Sequence, residues 1–181
     1  ETPLTALDTW ITPSQLFYVR NHFSDIPSGE ASTWRLNVDG EVENPIDFGL
    51  EELRLMDSRV TAVTLECAGN SRSFLTPHTE GIPFRHGAIG TAEWTGVPLR
   101  DILSRARLKH NVSEILFVGA ESGEEKEDGK TLKLRYERAL PLEKALDPST
   151  IITYEMNGAP LDPNHGYPLR LIVPGWYAMA S

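Results

Sequence analysis

The chain has 181 residues (20.2 kDa), 40% of them apolar, and 17 basic against 26 acidic side chains give it a formal charge of −9. That size suits one sizeable domain with a real core, and the acidic balance argues against a general nucleic-acid or anionic-membrane surface. No apolar stretch approaches the length of a membrane helix, and the single cysteine, Cys67, excludes an internal disulfide.

In chain order, residues 33–38 alternate like a strand, and Asp39-Gly40 predicts a hairpin turn into a second strand at 41–43. Residues 46–48 predict a short strand, 50–56 a short helix and 59–67 a longer strand. That strand leaves Cys67 at its end, just before the sharp turn Ala68-Gly69-Asn70, where binding and catalytic groups tend to sit. In Phe84-Arg-His-Gly-Ala-Ile-Gly90 the glycines allow close backbone approach to a ligand, although the stretch has neither the dinucleotide spacing nor a P-loop lysine. Leu99, Ile102, Leu103 and Ala106 recur at helical spacing behind Pro98, which predicts a helix. Further strands are expected at 115–118, 132–136, 151–155 and 169–173, with a short helix at 141–146 and a turn at Asn157-Gly158. The charged run 121–130 reads as a solvated loop.

Short strands outnumber helices and tight turns join them without regular strand–helix alternation. The expected class is therefore α+β, a mixed β-sheet domain with short helices and many loops, spanning 1–181 as one domain. The apolar close Pro174-Gly-Trp-Tyr-Ala-Met-Ala-Ser181 suggests that more protein normally follows.

Chemistry can come from four places. Cys67 is either a small buried hydrophobe or a working thiolate. Phe17-Tyr-Val-Arg-Asn-His22 sets Arg20, Asn21 and His22 in succession after an aromatic run; Arg72 follows the cysteine by five residues; and Asn164-His-Gly-Tyr-Pro-Leu-Arg170 supplies His165 and Arg170. Singly, each has a plain structural reading, with arginines as surface ion-pair partners and histidines as loop caps. Jointly they suit something specific. One thiolate is a soft ligand for a thiophilic or high-valent metal, whereas zinc wants more closely spaced Cys or His. Convergent Arg and His donors match phosphate or a small oxyanion. A metal with one protein thiolate, its other ligands coming from an anionic organic cofactor, uses all of these groups.

At these residues the sequence resembles the molybdopterin-binding domain of the sulfite oxidase family. The resemblance runs through Phe17-Tyr-Val-Arg-Asn-His22, Glu66-Cys-Ala-Gly-Asn70, Gly87-Ala-Ile-Gly90 with Trp94-Thr-Gly-Val-Pro-Leu99, Pro141-Leu-Glu-Lys-Ala145, Tyr154-Glu-Met-Asn-Gly158, and His165-Gly-Tyr-Pro-Leu-Arg170 with Val173-Pro-Gly175. It implies a molybdenum–molybdopterin cofactor with Cys67 as the protein's ligand to the metal. Arg20 and Arg72 would hold a sulfite-like anion, and Asn21, His22, His165 and Arg170 would bind the pterin and its phosphate. Ungapped counting places a further acidic contact at Asp128. The implied reaction is oxygen-atom transfer from sulfite to sulfate, with electrons passed to cytochrome c or another haem acceptor. Bacterial periplasm is the implied location, and homodimerisation is implied through an immunoglobulin-like C-terminal domain absent from these residues. The chain departs from the family pattern at Phe84, often tryptophan, and at Ser71, often arginine. Nitrate or sulfoxide reduction within the same family, a metal-free Cys/His enzyme and a non-catalytic binding module are the alternatives.

Overall fold

The computed structural model describes residues 1–23, 29–127 and 129–181, so Asp128 lies outside the described residues. Nine strands, three short helices and several 3-10 turns follow one another among them. β1 (Arg35–Val38) pairs with β2 (Ile46–Gly49), and α1 (Leu50–Arg54) follows directly. β3 (Arg59–Glu66) pairs with β4 (Ile89–Pro98), which runs into α2 (Leu99–Ala106). β5 (Glu114–Glu127) and β6 (Lys130–Pro141) form a long hairpin ending at α3 (Leu142–Ala145). β7 (Ile151–Met156) pairs with β4, with β8 (Ala159–Pro160) and with β9 (Arg170–Ile172). The α+β expectation of a sheet-dominated body with short helices holds. Every pairing among the described residues is antiparallel. No helix among the described residues is long and apolar enough to cross a membrane.

The central sheet separates two apolar clusters. Phe48, Leu53, Val97, Leu99, Ile102 and Ile152 pack on one side; Phe17, Tyr18, Leu65, Trp94, Ile151 and Ile172 pack on the other, with Cys67 at its margin. Ile151 and Ile152 are neighbours in β7, so strand alternation sends one to each cluster. The helical spacing read from the sequence for α2 is the buried stripe itself.

Two sequence expectations are corrected. Residues 41–43 do not form a strand against β1: Gly40 turns at φ +85°, Val42 bridges to Leu108, and Glu43 and Asn44 hydrogen-bond to the end of α2. Burial of Val42 behind α2 outweighs the hairpin that its neighbours favour. Residues 121–127 of the charged run are not a loop but the outer half of β5, paired with β6. The glycines at 87 and 90 flank the start of β4 and admit close packing by distant segments of the chain. A Cβ at Gly90 would sit 2.7 Å from the Phe17 ring, and one at Gly87 would meet the Thr2 carbonyl.

Candidate active site

Cys67 follows the last residue of β3, and its N–H donates to Ala88 O at 2.9 Å, carrying the ladder one step further. Asn70 N–H closes the turn on Cys67 O at 2.8 Å, and Gly69 N–H points to the sulfur at 3.4 Å. The Asn70 amide braces the turn on both sides, donating to Glu66 Oε1 at 3.0 Å and accepting from Ala88 N–H at 3.1 Å. Ser71 takes a left-handed conformation (φ 64°) and its Oγ lies 3.0 Å from His86 Nδ1. A half-buried thiol is thus held on a braced turn with one N–H directed at it.

Arg72 begins the 3-10 turn Arg72–Phe74, and its guanidinium lies between Gly69 and Gly81. A Cβ at Gly69 would come within 3.0 Å of Arg72 Cζ, and one at Gly81 would collide with Nη1. Two glycines therefore make the slot that keeps this cation beside the cysteine turn.

Aromatic rings floor the site. Phe17 stacks on Tyr18 at 5.3 Å and meets Trp94 and His165 edge-on at 6.1 and 5.7 Å. The Arg170 guanidinium sits over Trp94 at 5.4 Å and donates to His165 O at 3.3 Å. His165 is buried, and its Nδ1 lies 2.7 Å from Asp162 Oδ2. An acceptor-only carboxylate assigns the proton to Nδ1 and turns Nε2 into the free nitrogen.

Two buried polar groups on this floor, Tyr18 Oη and His165 Nε2, lack hydrogen-bond partners among the described residues, as does Arg138 Nε on β6. Burial pushes the Tyr18 phenol above its ordinary range; the Arg170 charge opposes that, while Cys67 and Glu66 add to it. Arg170 keeps part of its surface accessible, yet burial of its guanidinium lowers its pKa, with Tyr18, Tyr136 and Glu121 acting against the shift. No carboxylate stands within ion-pair distance of it among the described residues. A desolvated cation and orphaned polar atoms are costly unless a ligand supplies partners.

The remaining predicted residues come from 20–22. Arg20 is exposed and Asn21 half-buried. The His22 imidazole is engaged by the hairpin, its Nε2 lying 2.9 Å from Glu125 Oε1 and its ring 5.1 Å from Tyr136. Burial raises the pKa of Glu121, against which act the charge and backbone N–H of His22 and the charges of Arg20 and Arg170. The fold therefore gathers Cys67, Arg170 and His165 around Tyr18 and Phe17, and links Arg20 and His22 to Arg170 through Glu121. Sequence reasoning missed Tyr18, Glu121, Tyr136 and Arg138 as neighbours of the site. The alternation of Leu132, Leu134 and Tyr136 was the available signal for the hairpin pair. The Arg138 guanidinium lies 4.4 Å over the Tyr136 ring, whose hydroxyl donates to Met179 O at 2.6 Å.

Among the described residues no three His, Cys, Asp or Glu side chains gather as a metal site. The donor set is one thiol, orphaned hydrogen-bonding atoms and one desolvated cation, Arg170, which fits an anionic organic cofactor bringing most of a metal's ligands. Comparison with known proteins points the same way. The family profile described as oxidoreductase molybdopterin binding domain matches residues 23–181. Mitochondrial sulfite oxidase of Rattus norvegicus is 36% identical over 180 residues, covering 96% of this chain and 32% of that protein. Nitrate reductase (NADH) of Spinacia oleracea is 39% identical over 183 residues, covering 97% of this chain and 19% of that protein. The crystal structure of the sulfane dehydrogenase SoxCD from Paracoccus pantotrophus superposes with a TM-score of 0.76 at 30% identity, covering 93% of this chain and 40% of that one. The chain thus spans a third or less of the length of these curated relatives.

Proposed function

The chain belongs to the oxidoreductase molybdopterin-binding domain family, and on that footing we propose that it carries the active site of a sulfite-oxidising enzyme. It has the sulfite oxidase molybdopterin-binding fold and is a molybdopterin-dependent oxidoreductase domain whose cofactor is molybdenum–molybdopterin. Sulfite as substrate, a cytochrome-type electron acceptor, a bacterial periplasmic location and dimerisation through a further C-terminal domain belong to the proposal.

One observation carries the reading. Tyr18 Oη and His165 Nε2, both buried without partners among the described residues, share an aromatic floor with the Arg170 cation, which meets no carboxylate among those residues, next to the only thiol. Molybdenum in its pyranopterin dithiolene, when bound, supplies oxygen-atom transfer and the two-electron change. In this proposal Cys67 is the protein's ligand to the metal, and the Gly69 N–H at 3.4 Å steadies its thiolate. Asn21, His22, His165 and Arg170 bind the pterin and its phosphate, with Asp162 fixing the His165 ring so that Nε2 faces the ligand. Arg72, kept in its glycine slot, and Arg20 hold the substrate anion.

A second reading, nitrate reduction, is favoured by the 39% identity to the spinach nitrate reductase. The loaded protein separates the two by sulfite-dependent cytochrome c reduction against nitrate-dependent oxidation of a reduced dye. Turnover with nitrate and none with sulfite would overturn the substrate proposed here. Cys67→Ser should abolish sulfite turnover, and a variant keeping full activity would remove the thiolate's role.

A further inference from the structure

The β5–β6 hairpin carries a one-sided set of contacts that the cofactor reading leaves unused. Gly123 faces Leu134 and Glu125 faces Leu132 in the ladder, so Gly123 and Glu125 share a face with Leu132, Leu134 and, two residues further along β6, Tyr136. The opposite face is polar, pairing Ser122 with Arg135, Glu124 with Lys133 and Lys126 with Thr131. Three contacts from the first face converge on two adjacent residues. The Phe23 ring lies against Gly123, where a Cβ would collide with it. Glu125 Oε1 stands 2.9 Å from His22 Nε2, and the Tyr136 ring lies 5.1 Å from the imidazole. Phe23 is buried beneath this arm. A half-exposed His–Glu pair alone would be a surface ion pair of small worth. Alternate residues of both strands closing on one short segment make an interface.

We propose that the hairpin is a strap that closes on His22 and Phe23, and that Glu125 is a positioning residue for His22. The ionised carboxylate only accepts, so it draws the imidazole proton to Nε2, fixes the ring's rotation and leaves Nδ1 as the nitrogen available to the cofactor. Carboxylates play this part behind metal-binding histidines, where losing one costs about 10–100-fold in affinity. Gly123 is the seat of the strap, since any side chain there displaces Phe23. The inference rests on the proposed cofactor role of His22.

The test uses the loaded protein as wild type and as E125A, E125Q and G123A. Nitrogen NMR of labelled histidine reports the His22 tautomer, and the fluorescence of freed pterin reports its release rate. The expected result is Nε2–H in the wild type, a mixed tautomer in E125A, and recovery of Nε2–H in E125Q, whose amide oxygen still accepts. Pterin should leave E125A and G123A about ten-fold faster, with E125Q near the wild type. Glu125 is exposed, so E125A should fold even if G123A does not. An unchanged His22 tautomer in E125A, or unchanged release in E125A, overturns the proposal. Wild-type protein isolated without pterin from cofactor-competent cells would instead overturn the cofactor reading, and the tautomer change would then be the support for the strap.

Discussion

Tyr18→Phe removes one oxygen atom and should change sign with the state of the site. The Tyr18 hydroxyl is buried without a partner among the described residues, on a residue 5% exposed. Its ring stacks on Phe17 at 5.3 Å and its backbone N–H is held by Thr2 Oγ1 at 3.0 Å, neither of which the substitution disturbs. An unsatisfied buried hydroxyl costs about 1–3 kcal/mol. Removing it from cofactor-free protein should therefore stabilise by that amount, which for a domain of this size raises Tm by roughly 2–12 °C. On the proposed cofactor reading the hydroxyl gains a partner in loaded protein, and the same substitution should then destabilise by about 0.5–1.5 kcal/mol, the usual net worth of one hydrogen bond. Calorimetry on both forms, the cofactor-free one made in cells unable to synthesise molybdopterin, measures both signs. A lower Tm for cofactor-free Tyr18→Phe would mean that the hydroxyl is already satisfied, and the reasoning would fail.

Gly81→Ala should act through Arg72. At φ +108° an alanine is strained by about 1–3 kcal/mol, and its Cβ would collide with the Arg72 guanidinium. A lower Tm and a raised KM for the anionic substrate are expected; an unchanged KM refutes the slot. Asp147 offers a pH test away from the site. The Ser149 hydroxyl and N–H donate to its Oδ1 at 2.6 and 2.8 Å, and with Lys144 they bring its pKa down to about 2. A depressed carboxylate stabilises fully above its unfolded value of 3.8 and loses that contribution as pH falls through about 2. Ser149→Ala should raise the Asp147 pKa toward 3.8, so that the contribution shrinks and its acid loss is complete at higher pH; an NMR titration in which Asp147 does not move refutes this.

Much of the fold was legible because its signals are local. The α2 stripe of Leu99, Ile102, Leu103 and Ala106 and the β-prone runs of β3 and β7 carry their periodicity in consecutive residues. β4 was not legible as a strand, because Gly90, Ala92 and Gly96 look like breakers. They are small since Phe17 packs against Gly90 and the β7 backbone against Gly96, demands set by partners distant in sequence. The acidic run in β5 read as solvated for the same reason: its alternate residues turn toward His22 and Phe23, about a hundred positions earlier.

From the sequence alone came the class, the family and the set of chemically able residues: Cys67 at a strand end, Arg20, Asn21 and His22, Arg72, His165 and Arg170. Which of these meet was decided only by the tertiary structure. It put His165 and Arg170 on the Phe17–Trp94 floor, set Arg72 between Gly69 and Gly81, and handed the His22 ring to Glu125. Residue type and spacing specify what a side chain can do. Its partner depends on strand register and on the close approaches that glycines permit, and those exist only once distant segments are packed together.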